Sequence, residues 1–186
     1  MSSVDATNAA AYSDMRNLNM SFVVDNTEPA LIIGGLENEG RYQTEEQIVT
    51  MYPTDEGGSL QSVKIVLYAN NAVPGEDAPK GILFEMSGEQ LQDYLLENGG
   101  KIEFKVPEGY RQSVQIICTD YAVDADGNVN TYTETLKDIT VSPSGLMMFY
   151  AYKPVFYGTI GGLAALLTLI IFLLAKKKKK EQSPAA

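Results

Sequence analysis

The middle of the chain consists of short apolar or alternating runs that are separated by turn-forming residues. The clearest alternation is KIEFKV at Lys101–Val106, in which Ile102, Phe104 and Val106 fall on one side and charged residues on the other. Such runs at regular spacing indicate an all-β domain. We predict seven strands, over Ala30–Ile33, Glu46–Tyr52, Leu60–Ala69, Gly81–Met86, Lys101–Val106, Ser113–Val123 and Asn130–Val141.

One segment between these strands has the spacing of a helix. Within Glu89–Asn98, the apolar residues Leu91, Tyr94 and Leu95 recur at i, i+3 and i+4. Ser87 is placed to cap this helix, and two glycines after it should end it. The pattern therefore predicts a short helical insertion in a domain that is long enough for one core.

Towards the C-terminus the alternation gives way to a continuous apolar run. Val155–Ala175 contains 21 consecutive residues without a charge, and a helix needs about 20 to cross a hydrocarbon core of about 30 Å. Aromatic rings stand before and at the start of the run, at Phe149, Tyr150, Tyr152, Phe156 and Tyr157, and five lysines follow it. This arrangement fits a membrane-water boundary and the positive-inside bias. We predict a β domain over residues 30–143, a juxtamembrane linker over 144–154, a single transmembrane helix over 155–175 and a cytoplasmic basic tail over 176–186. A hydrophobic tail packed in a soluble core is the disfavoured alternative.

The distribution of charge agrees with this topology. The net charge is −10, and the tail contributes five lysines and one glutamate, so residues 1–175 carry −14. An acidic extracellular part would repel nucleic acid phosphates, which argues against a nucleic acid partner. The partner that the apolar run predicts is a lipid bilayer, reached through the C-terminal helix at the cell membrane.

The residue inventory excludes several kinds of chemistry. Cys118 is the only cysteine, so no intramolecular disulfide can form, and its apolar setting favours a small core residue over a reactive thiol. The sequence has no histidine, which removes Ser-His and Cys-His nucleophilic catalysis and the usual zinc site. A carboxylate-pair glycosidase needs no histidine, but one small domain leaves little room for a cleft. We expect no enzyme, no catalytic residues and no cofactor.

The N-terminal segment looks like the end of another module. The spacing of Asn8 and Tyr12 recurs about 120 residues later, each time before an apolar run. We therefore predict that residues 1–24 are the closing hairpin of an upstream repeat, followed by a junction at Asp25–Pro29. The first residues have neither the basic nor the apolar region of a signal peptide. We expect the chain to be the C-terminal part of a longer polypeptide.

Two groups of oxygen-bearing side chains raise the question of calcium. One group alternates in the turn between the last two strands: Asp124, Asp126, Asn128 and Asn130. An EF-hand loop needs glycine at its sixth position and glutamate at its twelfth, where Val129 and Thr135 stand here, so a plain hairpin turn is favoured. Asp25, Asn26 and Glu28 could hold calcium at the junction, but a polar linker is favoured there. We predict no metal site.

The apolar run also contains small residues at the spacing of a helix contact. Gly158 and Gly162 form a GxxxG pair, which lets two membrane helices approach closely. Small residues are common in apolar segments, so dimerisation through this face remains the less favoured interpretation.

Three motifs together resemble a known family. DNTEP opens a domain of about 115 residues, CTDYAVDADGNVNTY closes it, and FYAYKPVFYGTIGG leads into the apolar run. They resemble the bacterial immunoglobulin-like repeats of Gram-positive, clostridial-type surface proteins, in which D-N-T-x-P opens a module and D-x-x-G-N joins the last two strands. The resemblance implies an immunoglobulin-like β-sandwich and a stalk or adhesin module.

The chain departs from that family in ways that matter for function. The inter-sheet disulfide of antibody-type domains is impossible with one cysteine, and no LPxTG motif precedes the apolar run, so the helix itself is the expected anchor. Related modules can carry an isopeptide bond at a buried lysine, but Lys64, Lys101 and Lys105 all fall on polar faces.

These observations predict a membrane-anchored extracellular spacer that presents upstream domains of the same polypeptide. The alternative is an adhesin, a module that binds a carbohydrate or a host protein through loops such as Asn70–Lys80. Scattered tyrosines and the absence of tryptophan favour the spacer, because an aromatic binding platform would need such rings together.

Overall fold

In the computed structural model, residues 29–55, 60–70, 72–123 and 129–181 are described. Their elements are, in chain order, β1 (Ala30–Gly34), β2 (Arg41–Tyr42), β3 (Glu46–Thr54), β4 (Leu60–Tyr68), β5 (Gly81–Ser87), α1 (Gly88–Glu97), β6 (Ile102–Pro107), β7 (Gly109–Val123), β8 (Val129–Val141), α2 (Gly145–Ala151) and α3 (Lys153–Glu181). The predicted mainly β fold, with a short helix between strands and one long apolar helix at the C-terminus, is confirmed.

The strands form two sheets. The small sheet has the order β1-β3-β6, and the large sheet has the order β2-β8-β7-β4-β5. Neighbouring strands are antiparallel except for β2, which runs parallel to β8. Consecutive strands such as β3 and β4 lie in different sheets, so the chain crosses repeatedly between the two layers.

The buried side chains of both sheets form one hydrophobic core. On β6, Ile102 and Val106 are fully buried and Phe104 nearly so, whereas Glu103 and Lys105 are exposed, which confirms the predicted alternation. On β4 of the large sheet, Val63, Ile65 and Leu67 belong to the same cluster. A shared core of this kind lets each sheet supply the apolar surface that the other must bury.

Helix α1 confirms the predicted insertion but not its predicted cap. Leu91 is fully buried, and the Tyr94 ring lies 5.5 Å from the ring of Phe84 on β5. Ser87 occupies the N-cap position, yet its side chain makes no capping hydrogen bond. The next residue, Gly88, has a φ of +59°, so the first turn departs from the geometry in which a capping side chain reaches the helix amides.

The predicted stop of α1 is borne out. Gly99 and Gly100 adopt φ values of +63° and +77°, which residues with a β-carbon rarely do. The Gly100 amide donates to the Leu95 carbonyl at 2.7 Å. This bond satisfies one of the carbonyls that a helix leaves open at its end.

Other features also differ from the sequence-based expectation. Strand β2 was not predicted, because two residues carry no periodicity. Strand β7 begins at Gly109 rather than Ser113, since register shifts interrupt its alternation on both sides of Gln112. Residues 144–154, the predicted linker, contain the seven-residue helix α2.

Several predictions lie outside the described residues. These are the hairpin over residues 1–24, the junction before Pro29 and the calcium candidates Asp25, Asn26, Glu28, Asp124, Asp126 and Asn128.

Candidate membrane anchor and juxtamembrane site

Helix α3 has the dimensions of a membrane span. Within the described part of the chain, one helix is long and apolar enough to cross a membrane, over Lys153–Lys178, and its most apolar stretch has no buried residue. Its two threonine hydroxyl groups are satisfied inside the helix: Thr159 Oγ1 donates to Val155 O at 2.8 Å, and Thr168 Oγ1 donates to Ala164 O at 2.9 Å. Such internal bonds suit a helix in hydrocarbon, where an unpaired polar group is costly. The helix is consistent with a single-pass membrane protein.

The glycines of α3 present an open face. Apart from the neighbouring residues and backbone of the helix itself, a β-carbon placed at Gly158, Gly161 or Gly162 would meet no described atom within 4 Å. The GxxxG pair is thus free of contacts with the described part of this chain, and dimerisation through it stays a prediction.

An aromatic cluster, formed by Tyr110, Phe149, Tyr150, Phe156 and Tyr157, connects α3 to the β domain. The Phe156 ring lies 5.5 Å from Phe149, 5.1 Å from Tyr150 and 5.5 Å from Tyr157. The Tyr150 ring in turn lies 5.4 Å from Tyr110 on β7. Ring pairs at these separations attract each other beyond the area they bury. Desolvation, and next the neighbouring Tyr150, raises the pKa of Tyr110, so its phenol stays neutral at physiological pH.

Hydrogen bonds hold the start of α2 against the domain. Ser142 Oγ donates to Glu108 Oε1 at 2.6 Å, and the Ser142 amide donates to Tyr42 O at 3.0 Å. Ser142 Oγ also accepts from the Ser144 amide at 3.2 Å, and Ser144 Oγ accepts from the Met147 amide at 3.4 Å as the helix cap. These bonds link β2, the β6–β7 turn and α2, so the short helix is fastened at its N-terminal end.

A charged triad, Arg41, Arg111 and Asp138, joins β2, β7 and β8. Asp138 Oδ1 accepts from Arg111 Nε at 2.6 Å, and Asp138 Oδ2 lies 3.3 Å from Arg41 Nη2. Partial burial alone would raise the pKa of Asp138, but the hydrogen bond from Arg111 and the charges of both arginines outweigh it, so this pKa lies below its ordinary value. Arg111 and Asp138 have φ values of +50° and +57°. Residues with a β-carbon rarely adopt such φ values, and the ion pair between Arg111 and Asp138 joins these two positions.

The remaining predicted candidates fall into structural roles. Cys118 is fully buried, and burial raises the pKa of its thiol to about 12, which confirms a core residue. Lys64 and Lys101 pair with Glu85 at 2.9 Å and with Glu103 at 3.3 Å on polar faces. Lys105 pairs with Glu46 in the same way.

Asn130, one of the residues considered for calcium, lies at the described end of the last hairpin and binds Asp120. Asn130 Nδ2 donates to Asp120 Oδ2 at 3.2 Å, and the buried Asp120 also accepts from the Ala122 amide at 2.7 Å. Among the described residues, no group of three or more acidic or cysteine side chains could hold a metal ion.

The described part of the loop at Asn70–Lys80, the candidate for ligand binding, shares a cavity with Arg111 and Asp138 of the triad. Its described part is held by a hydrogen bond of 2.6 Å from the Val73 amide to Asp77 Oδ2. A cavity of about 260 Å³ lies between this loop and the large sheet. Its walls are Ala72, Val73, Pro74, Arg111, Ser113, Lys137 and Asp138.

Fold and site together define a protein of two parts, a mainly β domain with two sheets and one helix of membrane-spanning length. A scan against protein-family models found no match for the chain, and a search of curated proteins found none either. The juxtamembrane contacts are the feature that couples the two parts.

Proposed function

We propose that the chain is a membrane-anchored extracellular spacer, an immunoglobulin-like β-sandwich that holds upstream domains of the same polypeptide above a bacterial membrane. The observation that carries this proposal is the physical continuity between domain and span. Helix α3 offers an uncovered apolar surface of the right length, and the aromatic cluster fastens its first turns to β7 through Tyr150. A domain fixed to its anchor in this way suits a positional role.

The strand order supports the immunoglobulin-like assignment. In such folds the second and fifth strands, B and E, pair in one sheet, and strands G, F and C are neighbours in the other, with C′ added at its edge in variable-type domains. Here β3 and β6 would be B and E, while β8, β7, β4 and β5 would be G, F, C and C′. Helix α1 then stands in the chain where such folds place strand D.

The flanking residues support one orientation. Lysines at the C-terminal end of α3 favour the cytoplasm, and the rings at its N-terminal end favour the outer boundary. Single cysteines at Glu97 and at Ser183 would test this orientation with a membrane-impermeant maleimide on intact cells. Glu97→Cys, on an exposed position of α1, should be labelled, and Ser183→Cys should not. The native Cys118 adds no background because it is buried. If the cysteine at position 183 were labelled and the one at position 97 were not, the orientation would be opposite to the proposed one.

A span exchange tests the spacer itself. Replacing Val155–Ala175 with an unrelated apolar helix of equal length should leave surface display of the upstream domains unchanged, because an anchor needs only length and hydrophobicity. The lysine run is left unchanged in the exchanged chain, so that the orientation of the helix stays the same. Loss of a downstream cellular response with normal display would instead make α3 a signalling element.

A second candidate, the adhesin, rests on the cavity beside loop Asn70–Lys80. That cavity combines the cation of Lys137 with the exposed apolar side chain of Val73, a pairing that suits an acidic glycan or peptide. The detergent-solubilised full chain, probed against an array of glycans and host matrix proteins, should show no binding if it is only a spacer. Binding that is lost in both Lys137→Glu and Val73→Asp would favour the adhesin.

A further inference from the structure

The segment that leads into α3 lacks charge and displays apolar side chains. About 20% of the chain is charged, yet Ser142–Tyr152 contains no charged residue. Ala151 of α2 is buried against the domain, whereas Leu146 is 80% exposed and Met147 is 38% exposed. Helix α2 therefore turns one side to the β domain and an apolar side away from it.

An apolar groove runs along that outward side. It has a volume of about 390 Å³, and its lining is almost entirely apolar. The residues that line it are Ser144, Leu146, Met147, Phe149, Tyr150 and Phe156. Phe156 belongs to α3, so the groove is continuous with the surface of the candidate span.

We propose that α2 lies in the interfacial layer of the membrane that α3 spans, with Leu146 and Met147 towards hydrocarbon and a phospholipid acyl chain in the groove. This inference rests on the proposed anchoring by α3. It adds a second attachment: the β domain would be held to the bilayer by α2 as well as by the span.

The position of the groove favours lipid over other occupants. Tyr152 alone separates α2 from α3, and at a rise of about 1.5 Å per residue Phe156 lies about 5 Å along α3 from its first residue. A groove at that height is at the level of the aromatic belt, where tyrosine rings such as that of Tyr150 meet the headgroups. A helix that lies in this layer buries its apolar side at the boundary between headgroups and acyl chains, and the exposed Leu146 and Met147 give α2 such a side.

Depth measurements with spin labels test the proposal. The full chain, reconstituted in phosphatidylcholine vesicles, would carry one nitroxide at Leu146→Cys, and collision rates would be measured with oxygen, which enters lipid, and with a neutral nickel chelate, which stays in water. At this position we expect the collision rate with oxygen to exceed that with the nickel chelate several-fold. Met147→Cys repeats the measurement with Leu146 intact.

Two matched positions make the outcomes separable. Leu96 lies on α1 and is 84% exposed, so a label at Leu96→Cys should collide more often with the nickel chelate. A label at Leu167→Cys, in the middle of α3, should collide more often with oxygen. Water-like rates at Leu146 and Met147 with lipid-like rates at Leu167 would overturn the inference and leave the anchor standing. Water-like rates at Leu167 would overturn the anchor, and the inference with it.

A second copy of the chain is the remaining occupant that the experiment detects. In that case the label at Leu146 would be shielded from both reagents, and spin-spin broadening would disappear when the protein is diluted with lipid. That result would overturn the proposal in favour of an interface between copies.

Discussion

The β domain and helix α3 use the same aliphatic residues in opposite surroundings. On β6, Ile102 and Val106 are fully buried, whereas Leu166 and Ile171 of α3 are more than half exposed. The domain creates its own apolar environment because two sheets cover each other, and each buried side chain gains about 25 cal/mol per Å² removed from water. Helix α3 has no such partner in the described part of the chain. The comparison teaches that the described part of the chain covers the apolar side chains of the domain but leaves those of α3 uncovered.

The largest effect is expected in the domain core. Phe104→Ala should lower the free energy of unfolding by about 3–5 kcal/mol, since it leaves a cavity between the sheets that the neighbours cannot fill. Urea denaturation of the detergent-solubilised chain, followed by tyrosine fluorescence, measures this change. Lys105→Ala, on the outward face of the same strand, is the matched control and should leave the midpoint of the urea transition unchanged. Equal effects at both positions would contradict the assigned face of β6.

The reciprocal change in α3 should spare the domain and disturb only the anchor. Leu167→Arg places a charge near the centre of the span, which costs about 2.5–3.5 kcal/mol of insertion free energy. Carbonate extraction of membranes should release a larger fraction of this variant, while the urea transition of the domain stays unchanged. Lys177→Arg keeps the charge at the end of the helix and should behave as the parent does. A domain destabilised by Leu167→Arg would mean that α3 is part of the core.

A smaller effect is expected at the charged triad, which joins β2, β7 and β8 within the β domain. Asp138→Asn keeps a residue that tolerates positive φ but removes the charge, and it should cost about 1.5–3 kcal/mol at neutral pH. Because the folded state lowers the pKa of Asp138 below its ordinary 3.8, the charged form stabilises the fold above that pH. The contribution is lost as the pH falls through the lower folded value.

Acid titration of stability measures this contribution. The gap between the parent and Asp138→Asn should be widest at pH 7 and should close below pH 3.8, the ordinary pKa. A gap that is independent of pH would mean that the triad acts through packing and not through charge.

Local patterns account for most of the fold and for part of the site. The alternation of β6, the helical spacing around Leu91 and the apolar run of α3 were predicted, because each is recorded in neighbouring residues. The rings of Phe149, Tyr150 and Phe156 were also predicted at a membrane boundary. Their contact with Tyr110 was not, since it joins residues that are distant in sequence.

The elements that the sequence did not reveal are short or depend on long-range partners. Strand β2 has two residues and finds its partner on β8, where Arg41 lies opposite Thr140. Helix α2 begins at Gly145 and has seven residues, fewer than a helical pattern needs to be recognised. Asp138 pairs with two arginines, one of them 97 positions away, and a pairing over that sequence distance leaves no local signal.

The parallel pairing of β2 with β8 also decides how the domain would respond to a mechanical load. Tension between the N-terminal side of the domain and α3 pulls β2 towards its start and β8 towards its end, along one axis and in opposite directions. Backbone hydrogen bonds join these strands and their flanks, among them Glu39 N to Lys137 O at 2.8 Å, Thr140 N to Gly40 O at 2.9 Å and Ser142 N to Tyr42 O at 3.0 Å. Because the force runs along the strands, these hydrogen bonds bear the load together and do not break one after another. Steady tension is then released in one rupture event, whose rate is set by the unfolding barrier.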